Sequence, residues 1–134
     1  MEFNELDFAE VTAEKINKIA DAKGKEFAQN IATNQIRNFF AHINTIRNDF
    51  RNMQLNNTSF NQLDSSLILV KPKLAYAKGR NSSVEPFQKL MFETIDKVVI
   101  SKNKEKAFAN FFAFVEAIVA YHKYYGGREI RRNK

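Results

Sequence analysis

Few residues of this 134-residue chain could carry acid–base chemistry. His42 and His122 are the only histidines, they fall in different predicted helices, and cysteine is absent. Two histidines can serve as the acid and base of a small ribonuclease, but this spacing favours one exposed and one partly buried structural histidine. Glu116 could be a tuned acid. Its position instead favours pairing with Lys123 or with a basic residue of a neighbouring helix.

Metal and phosphate motifs are also missing. The sequence has no HExxH pattern and no thiolate ligands. The glycine context YAKGRNSS has the wrong spacing for a phosphate-binding loop. The sequence therefore predicts a protein without enzymatic activity, without a bound metal and without a cofactor.

Binding chemistry is better represented, beginning with a basic helix face. Arg37, Arg47 and Arg51 cluster with Asn44 and Asn48 within about a quarter-turn of one predicted helix. Guanidinium groups hold phosphates through paired hydrogen bonds, and amides can reach sugars or base edges. This pattern predicts a nucleic-acid contact surface, although a solvated charged face is the simpler explanation for any single helix.

A second basic cluster follows in the segment that contains Pro72. Lys73, Tyr76 and Arg80 share a face if this segment is helical, which places an aromatic ring between two cations. Lys71 falls on a different side of the same segment. The cluster strengthens the prediction of a nucleic-acid partner.

Net charge supports the same prediction. The chain carries a formal charge of +6, but residues 1–26 hold seven acids against four bases, whereas the remainder holds 17 bases against eight acids. A strongly basic body of this kind suits a polyanionic partner.

The elements that position these residues are predicted to be helices throughout. The stretch from Ala107 to Gly127 is apolar around most of its circumference, is interrupted by Asn110 and Glu116, and is predicted to be a central core helix rather than a membrane span. Its alanines form a narrow stripe that another helix could approach closely. One-sided apolar stripes predict further helices from Thr12 to about Lys23, ending at Gly24, from Thr33 to about Gln54, and from Val84 to about Ile100, together with one kinked or two short helices across Pro72.

The predicted architecture is an all-α, compact bundle of about five helices in a single domain spanning residues 1–134. Residues 1–10 and 128–134 show no clear period and are expected to be loosely ordered. The absence of cysteine and of a signal-peptide pattern suits the cytoplasm.

Three segments carry a family resemblance: IATNQIRNFF (31–40), LAYAKGR (74–80) and, most specifically, FFAFVEAIVAYHKYYGGRE (111–129). In this order they resemble the small subunit of type III-A CRISPR effector complexes, the Csm complex. The resemblance implies a helical, non-catalytic protein whose copies stack in a minor filament beside the backbone and large subunits of a ribonucleoprotein. Such subunits contact the CRISPR RNA and target RNA along the backbone, without sequence specificity, in antiviral defence.

The resemblance places the family's basic features on Arg37, Lys71, Arg80, Lys123 and Arg128. Together with the helix-face argument, the predicted RNA-binding set is Arg37, Arg47, Arg51, Lys71, Lys73, Arg80, Lys123 and Arg128. Two other classes stay open: a protein–protein adaptor with a basic docking face, and a small ribonuclease using His42 or His122.

Overall fold

The computed structural model describes residues 2–126, and the described chain is helical without strands. The helices are α1 (Ala13–Asn30), α2 (Thr33–Arg51), α3 (Met53–Asn56), α4 (Phe60–Ile68), α5 (Val70–Arg80), α6 (Glu85–Val99) and α7 (Lys104–Tyr124), with short 3₁₀ helices at Phe8–Glu10 and Ser82–Val84. The predicted all-α class is therefore confirmed.

Helix α7 packs against α1, α2, α6 and the first 3₁₀ helix. Its apolar side is buried, including Phe111, Phe112, Val115 and Ile118. The predicted alanine stripe behaves differently: most of it, together with Glu116 and Lys123, is exposed on the opposite side of α7. No helix of the described chain packs over Ala109, Ala113 or Ala120, which are all exposed.

Helix α1 is longer than its sequence predicts. The prediction that this helix ends at Gly24 is wrong, because the helix continues through Gly24 to Asn30. Gly24 is buried against α7, where the lack of a side chain lets the two helices approach closely. The contacts Val11–Asn110, Gly24–Tyr121 and Ile31–His122 show that α1 and α7 run in the same direction.

The N-terminal segment is part of the core, which contradicts the expectation of a loosely attached residue 1–10 region. Phe3 and Phe8 are buried, and the Phe3 ring meets the rings of Phe8 and Phe114 edge-on. Asn110, buried on α7, donates hydrogen bonds from its amide to the carbonyl oxygens of Phe8 (3.0 Å) and Val11 (3.1 Å). Burial of this segment does not depend on a helical period. Its large aromatic side chains fill the core, and its backbone carbonyls are paired with Asn110. Residues 128–134 lie outside the described range.

Helix α2 follows its predicted stripe. Ile36, Phe39, Ile43 and Ile46 are buried, and Phe50 packs against Phe108 of α7. Thr33 is the first helical residue, and the side chain of Gln35 accepts a hydrogen bond from the Ala32 backbone N–H. The helix ends at Arg51 and is followed by the single turn of α3.

The segment around Pro72 forms two helices rather than one kinked helix. Ser59 caps α4, and its hydroxyl accepts a hydrogen bond from the Gln62 backbone N–H. The break falls at Leu69, and Pro72 occupies the first turn of α5, where its missing N–H costs no helical hydrogen bond. Val70 and Leu74 are buried and Ala77 packs against the core, whereas Lys73, Tyr76 and Arg80 are exposed.

Candidate nucleic-acid interface

A cleft of about 790 Å³ lies between α2 and α5. Its floor is apolar and includes Phe39, Leu74 and Phe87, which belong to the hydrophobic core. Its rim is polar and basic: Gln35, Asn38 and His42 come from α2, Lys73, Tyr76 and Arg80 from α5, and Asn81 follows α5. No aspartate or glutamate is among its lining residues.

The rim of α5 has the arrangement that the sequence predicts. Lys73, Tyr76 and Arg80 are three and four residues apart, so an α-helix places them on one face. All three are exposed, and the guanidinium carbon of Arg80 lies 5.8 Å from the centre of the Tyr76 ring. This face therefore combines two cations with an aromatic ring at the edge of the cleft.

Lys71 lies on the other side of α5, as its sequence position predicts. Its ammonium group forms an ion pair with Asp96 of α6 and lies 5.1 Å from the centre of the Phe92 ring. The structure therefore separates Lys71 from the cleft and gives it a carboxylate partner.

The arginines of α2 belong to a different surface. Arg47 reaches Glu116 of α7, with 3.2 Å between Nη1 and Oε1, and its guanidinium carbon lies 6.0 Å from the centre of the Phe40 ring. Arg37 and Arg51 are exposed. The helical repeat places Arg47 and Arg51 on one side of the buried stripe and the cleft residues of α2 on the other. The arginines of α2 thus point away from the cleft, and the basic cluster of α5 lies on the other side of α2, across the cleft.

Glu116 has the partner that the sequence predicted as an alternative to Lys123, a basic residue of a neighbouring helix. Lys123 is exposed on the same side of α7 as Glu116. We call this side of α7, formed by Ala109, Ala113, Glu116, Ala120 and Lys123, the alanine face. Arg128 lies outside the described residues.

The two histidines have separate roles in the fold. His122 is buried, and its Nε2 lies 2.7 Å from the carbonyl oxygen of Ile31. A carbonyl oxygen can only accept, so Nε2 carries the proton and anchors the connection between α1 and α2. His42 is exposed at the cleft. The structure therefore gives His122 a structural contact and does not present it, with His42, as an accessible acid–base pair.

The pair formed by Tyr125 and Asp21 lies away from the cleft. Tyr125, just after α7, donates a hydrogen bond to the carboxylate of Asp21, and this bond raises the pKa of the Tyr125 phenol to about 12. Residues 2–126 contain no cluster of three or more His, Asp or Glu side chains placed to hold a metal ion. No helix in this range has the length and apolar character needed to cross a bilayer.

The cleft itself is the feature that sequence reasoning missed. Asn38 and His42 are four residues apart, so a helical plot of α2 already places them on one side. That side meets α5 only in the folded chain, and nothing in either helix alone indicates the opening between them.

A family model described as Csm2 Type III-A matches residues 10–128. The chain is 29% identical over 128 residues to the CRISPR system Cms protein Csm2 of Enterococcus italicus, and the match covers 92% of this chain and 91% of that protein. No solved structure matches the chain. The chain therefore belongs to the Csm2 family, the small subunit of type III-A CRISPR systems.

Proposed function

We propose that this protein is a non-catalytic, RNA-binding structural subunit of a type III-A CRISPR ribonucleoprotein. Its copies stack in a minor filament and hold the CRISPR RNA and target RNA through their backbones, independently of sequence. The observation that carries the RNA-binding part is the basic rim of the α2–α5 cleft, which presents Lys73 and Arg80 with no carboxylate among the lining residues. Family membership supports the place in the complex.

Charge and chemistry favour backbone recognition. A subunit that serves every guide sequence gains from contacts to phosphate and ribose, whereas contacts to base edges would discriminate between guides. The proposed contact residues form three groups: Lys73 and Arg80 at the cleft, Arg37, Arg47 and Arg51 on the opposite flank of α2, and Lys71, Lys123 and Arg128 as further cations. Arg47 and Lys71 already have carboxylate partners, so each exchanges an ion pair for a phosphate when it binds.

The alanine face of α7 supports the proposed stacking. Small side chains allow another surface to approach the helix backbone closely, and this face is exposed in the described chain. Its occupants in the proposed assembly are another copy of this chain and the backbone and large subunits.

A charge-removal series tests the cleft. We would measure the affinity of the full chain for a fluorescently labelled single-stranded RNA at several salt concentrations, for wild type and for a Lys73→Ala/Arg80→Ala variant. Each lost phosphate contact should flatten the dependence of log affinity on log salt by about 0.7. A Lys18→Ala/Lys89→Ala variant removes the same charge from exposed positions outside the cleft lining and should keep the wild-type slope. Equal slopes in all three proteins would contradict this assignment.

The same preparations test the two competing functions. The purified protein should leave labelled RNA intact with or without divalent metal, because His122 is engaged by Ile31 and His42 has no accessible histidine partner. Cleavage that disappears in His42→Ala would establish a ribonuclease instead. Salt-sensitive binding to an acidic protein, with none to RNA, would establish the adaptor.

A further inference from the structure

Tyr76 stands at the mouth of the α2–α5 cleft with 68% of its surface exposed. A tyrosine of this exposure presents a large ring surface, and a bound partner that covers this surface gains free energy by removing it from water. Arg80 lies over the ring, 5.8 Å from its centre, and both side chains border the apolar floor. The cleft therefore offers a stacking surface next to a water-exposed hydrophobic floor.

We infer that this cleft accepts one unpaired base of a bound RNA strand, an inference that rests on the proposed function. The base stacks on the Tyr76 ring and the Arg80 guanidinium. Lys73 and Arg80 hold the flanking phosphates, and Asn38 and His42 face the polar edge of the base.

The shape of the site favours a base over backbone contact alone. Phosphate binding needs surface cations and does not require a recess, whereas this open cleft has a volume of about 790 Å³, within the ~300–1,000 Å³ typical of sites for small organic groups. Its chemistry is that of single-strand binding sites, which combine a cationic groove with aromatic side chains.

Charge complementarity selects a nucleic acid as the occupant. The lining contains two cations and no carboxylate, so an acidic residue of this chain does not compete for the site. Stacking tolerates every base because each has a π face, which is compatible with a subunit that serves all guide sequences.

The test separates stacking from charge. We would measure the affinity of the full chain for single-stranded RNA in wild type, Tyr76→Leu and Tyr76→Phe, over the same salt series. Loss of one stacking contact should weaken binding by about 5- to 150-fold in Tyr76→Leu, while Tyr76→Phe stays near wild type. The salt slope should be unchanged in both, because neither substitution removes a cation. Tyr76 is exposed, so both variants should keep the helical circular dichroism spectrum of wild type.

A second readout uses the RNA. A strand carrying 2-aminopurine should lose fluorescence on binding to wild type and to Tyr76→Phe, and much less on binding to Tyr76→Leu. A strand made abasic throughout should bind wild type only as weakly as an intact strand binds Tyr76→Leu.

The outcomes distinguish the two proposals. Wild-type affinity and quenching in a folded Tyr76→Leu variant would overturn the base-binding cleft while leaving backbone binding intact. A wild-type protein that binds no RNA at any salt concentration would overturn the proposed function and this inference together.

Discussion

A β-carbon placed on Gly24 would lie 2.4 Å from the Cβ of Tyr121, closer than two carbon atoms of packed side chains can come. The clash cannot be relieved by rotating the tyrosine, because Cβ is fixed to the α7 backbone and the His122 backbone nitrogen is also near, at 3.0 Å. Helices α1 and α7 can therefore keep their separation only while residue 24 has no side chain.

Gly24→Ala should destabilise the protein although alanine favours a helix by about 1 kcal/mol. Forcing the helices apart costs about 1–3 kcal/mol or more, so the net change in unfolding free energy should be unfavourable. Urea denaturation of Gly24→Ala and Gly79→Ala measures this directly. Gly79 is also helical but has nothing within 4 Å of a new Cβ, so its variant should gain up to about 1 kcal/mol. Stabilisation of both variants would contradict the close helix contact.

The buried side of α7 gives a second prediction. Phe112→Ala or Ile118→Ala should each lower the unfolding free energy by about 2–5 kcal/mol, because each empties a core site that is at most 4% exposed. Thermal and urea denaturation provide the measurement. Ala113→Ser, on the alanine face between them, should change stability by less than about 0.5 kcal/mol. Neutral effects at both core positions would refute the assignment of this side as core.

The arginines of α2 give a third prediction. An Arg37→Ala/Arg47→Ala/Arg51→Ala variant should bind RNA more weakly on every sequence tested and should flatten the salt slope by about 0.7–0.9 per lost contact. Glu116→Gln should act in the opposite direction, because it releases the Arg47 guanidinium from its ion pair. Affinities for RNA measured at several salt concentrations show whether these arginines contact the RNA backbone. An unchanged slope in a folded triple variant excludes this face, and a strong sequence preference in wild type excludes the backbone mechanism.

Acid stability gives a fourth prediction. The nearby Ser101 side chain, together with hydrogen bonds from the backbone N–H groups of Ala9 and Lys102, lowers the pKa of Asp7 below its ordinary value of 3.8. A lowered pKa means that the folded state binds the proton less tightly than the unfolded state. The stability contributed by Asp7 is then complete above pH 3.8 and is lost as the pH falls through the folded-state value.

Asp7→Asn should therefore be less stable than wild type near neutral pH, and the difference should shrink in acid. Chemical denaturation across the pH range measures it, with Glu10→Gln as a control for net charge. A difference that widens on acidification would contradict the predicted sign.

The helices of this fold follow from local pattern, and the exceptions have physical causes. The stripe of α2 predicts its buried residues because helical spacing alone decides which side chains share a face. Gly24 misleads because glycine marks both helix ends and close helix contacts, and only Tyr121, 97 positions away, distinguishes the two. Phe3 and Phe8 are missed because their segment has no period, although the large aromatic rings are buried.

The candidate site is predictable from the sequence only where its residues lie in one helix. The shared face of Lys73, Tyr76 and Arg80 is fixed by spacing within one helix. The cleft, and the pairing of Arg47 with Glu116, depend on how separate helices lie against each other. Residue types indicate the chemistry of a surface, but contacts between distant segments decide which charged side chains form ion pairs within the chain.

The side-by-side arrangement of α1 and α7 has a consequence for how the protein is made. Helices α1 and α7 form the most extensive contact of the described bundle, so the surface of α1 that packs against α7 has no partner until α7 has left the ribosome. Contacts between such distant segments also close slowly, because loop entropy is lost before burial offsets it. A nascent chain that lacks α7 would expose the apolar side of α1 and the N-terminal phenylalanines. A chain that is interrupted before residue 104 therefore leaves this apolar surface open to proteases and to aggregation.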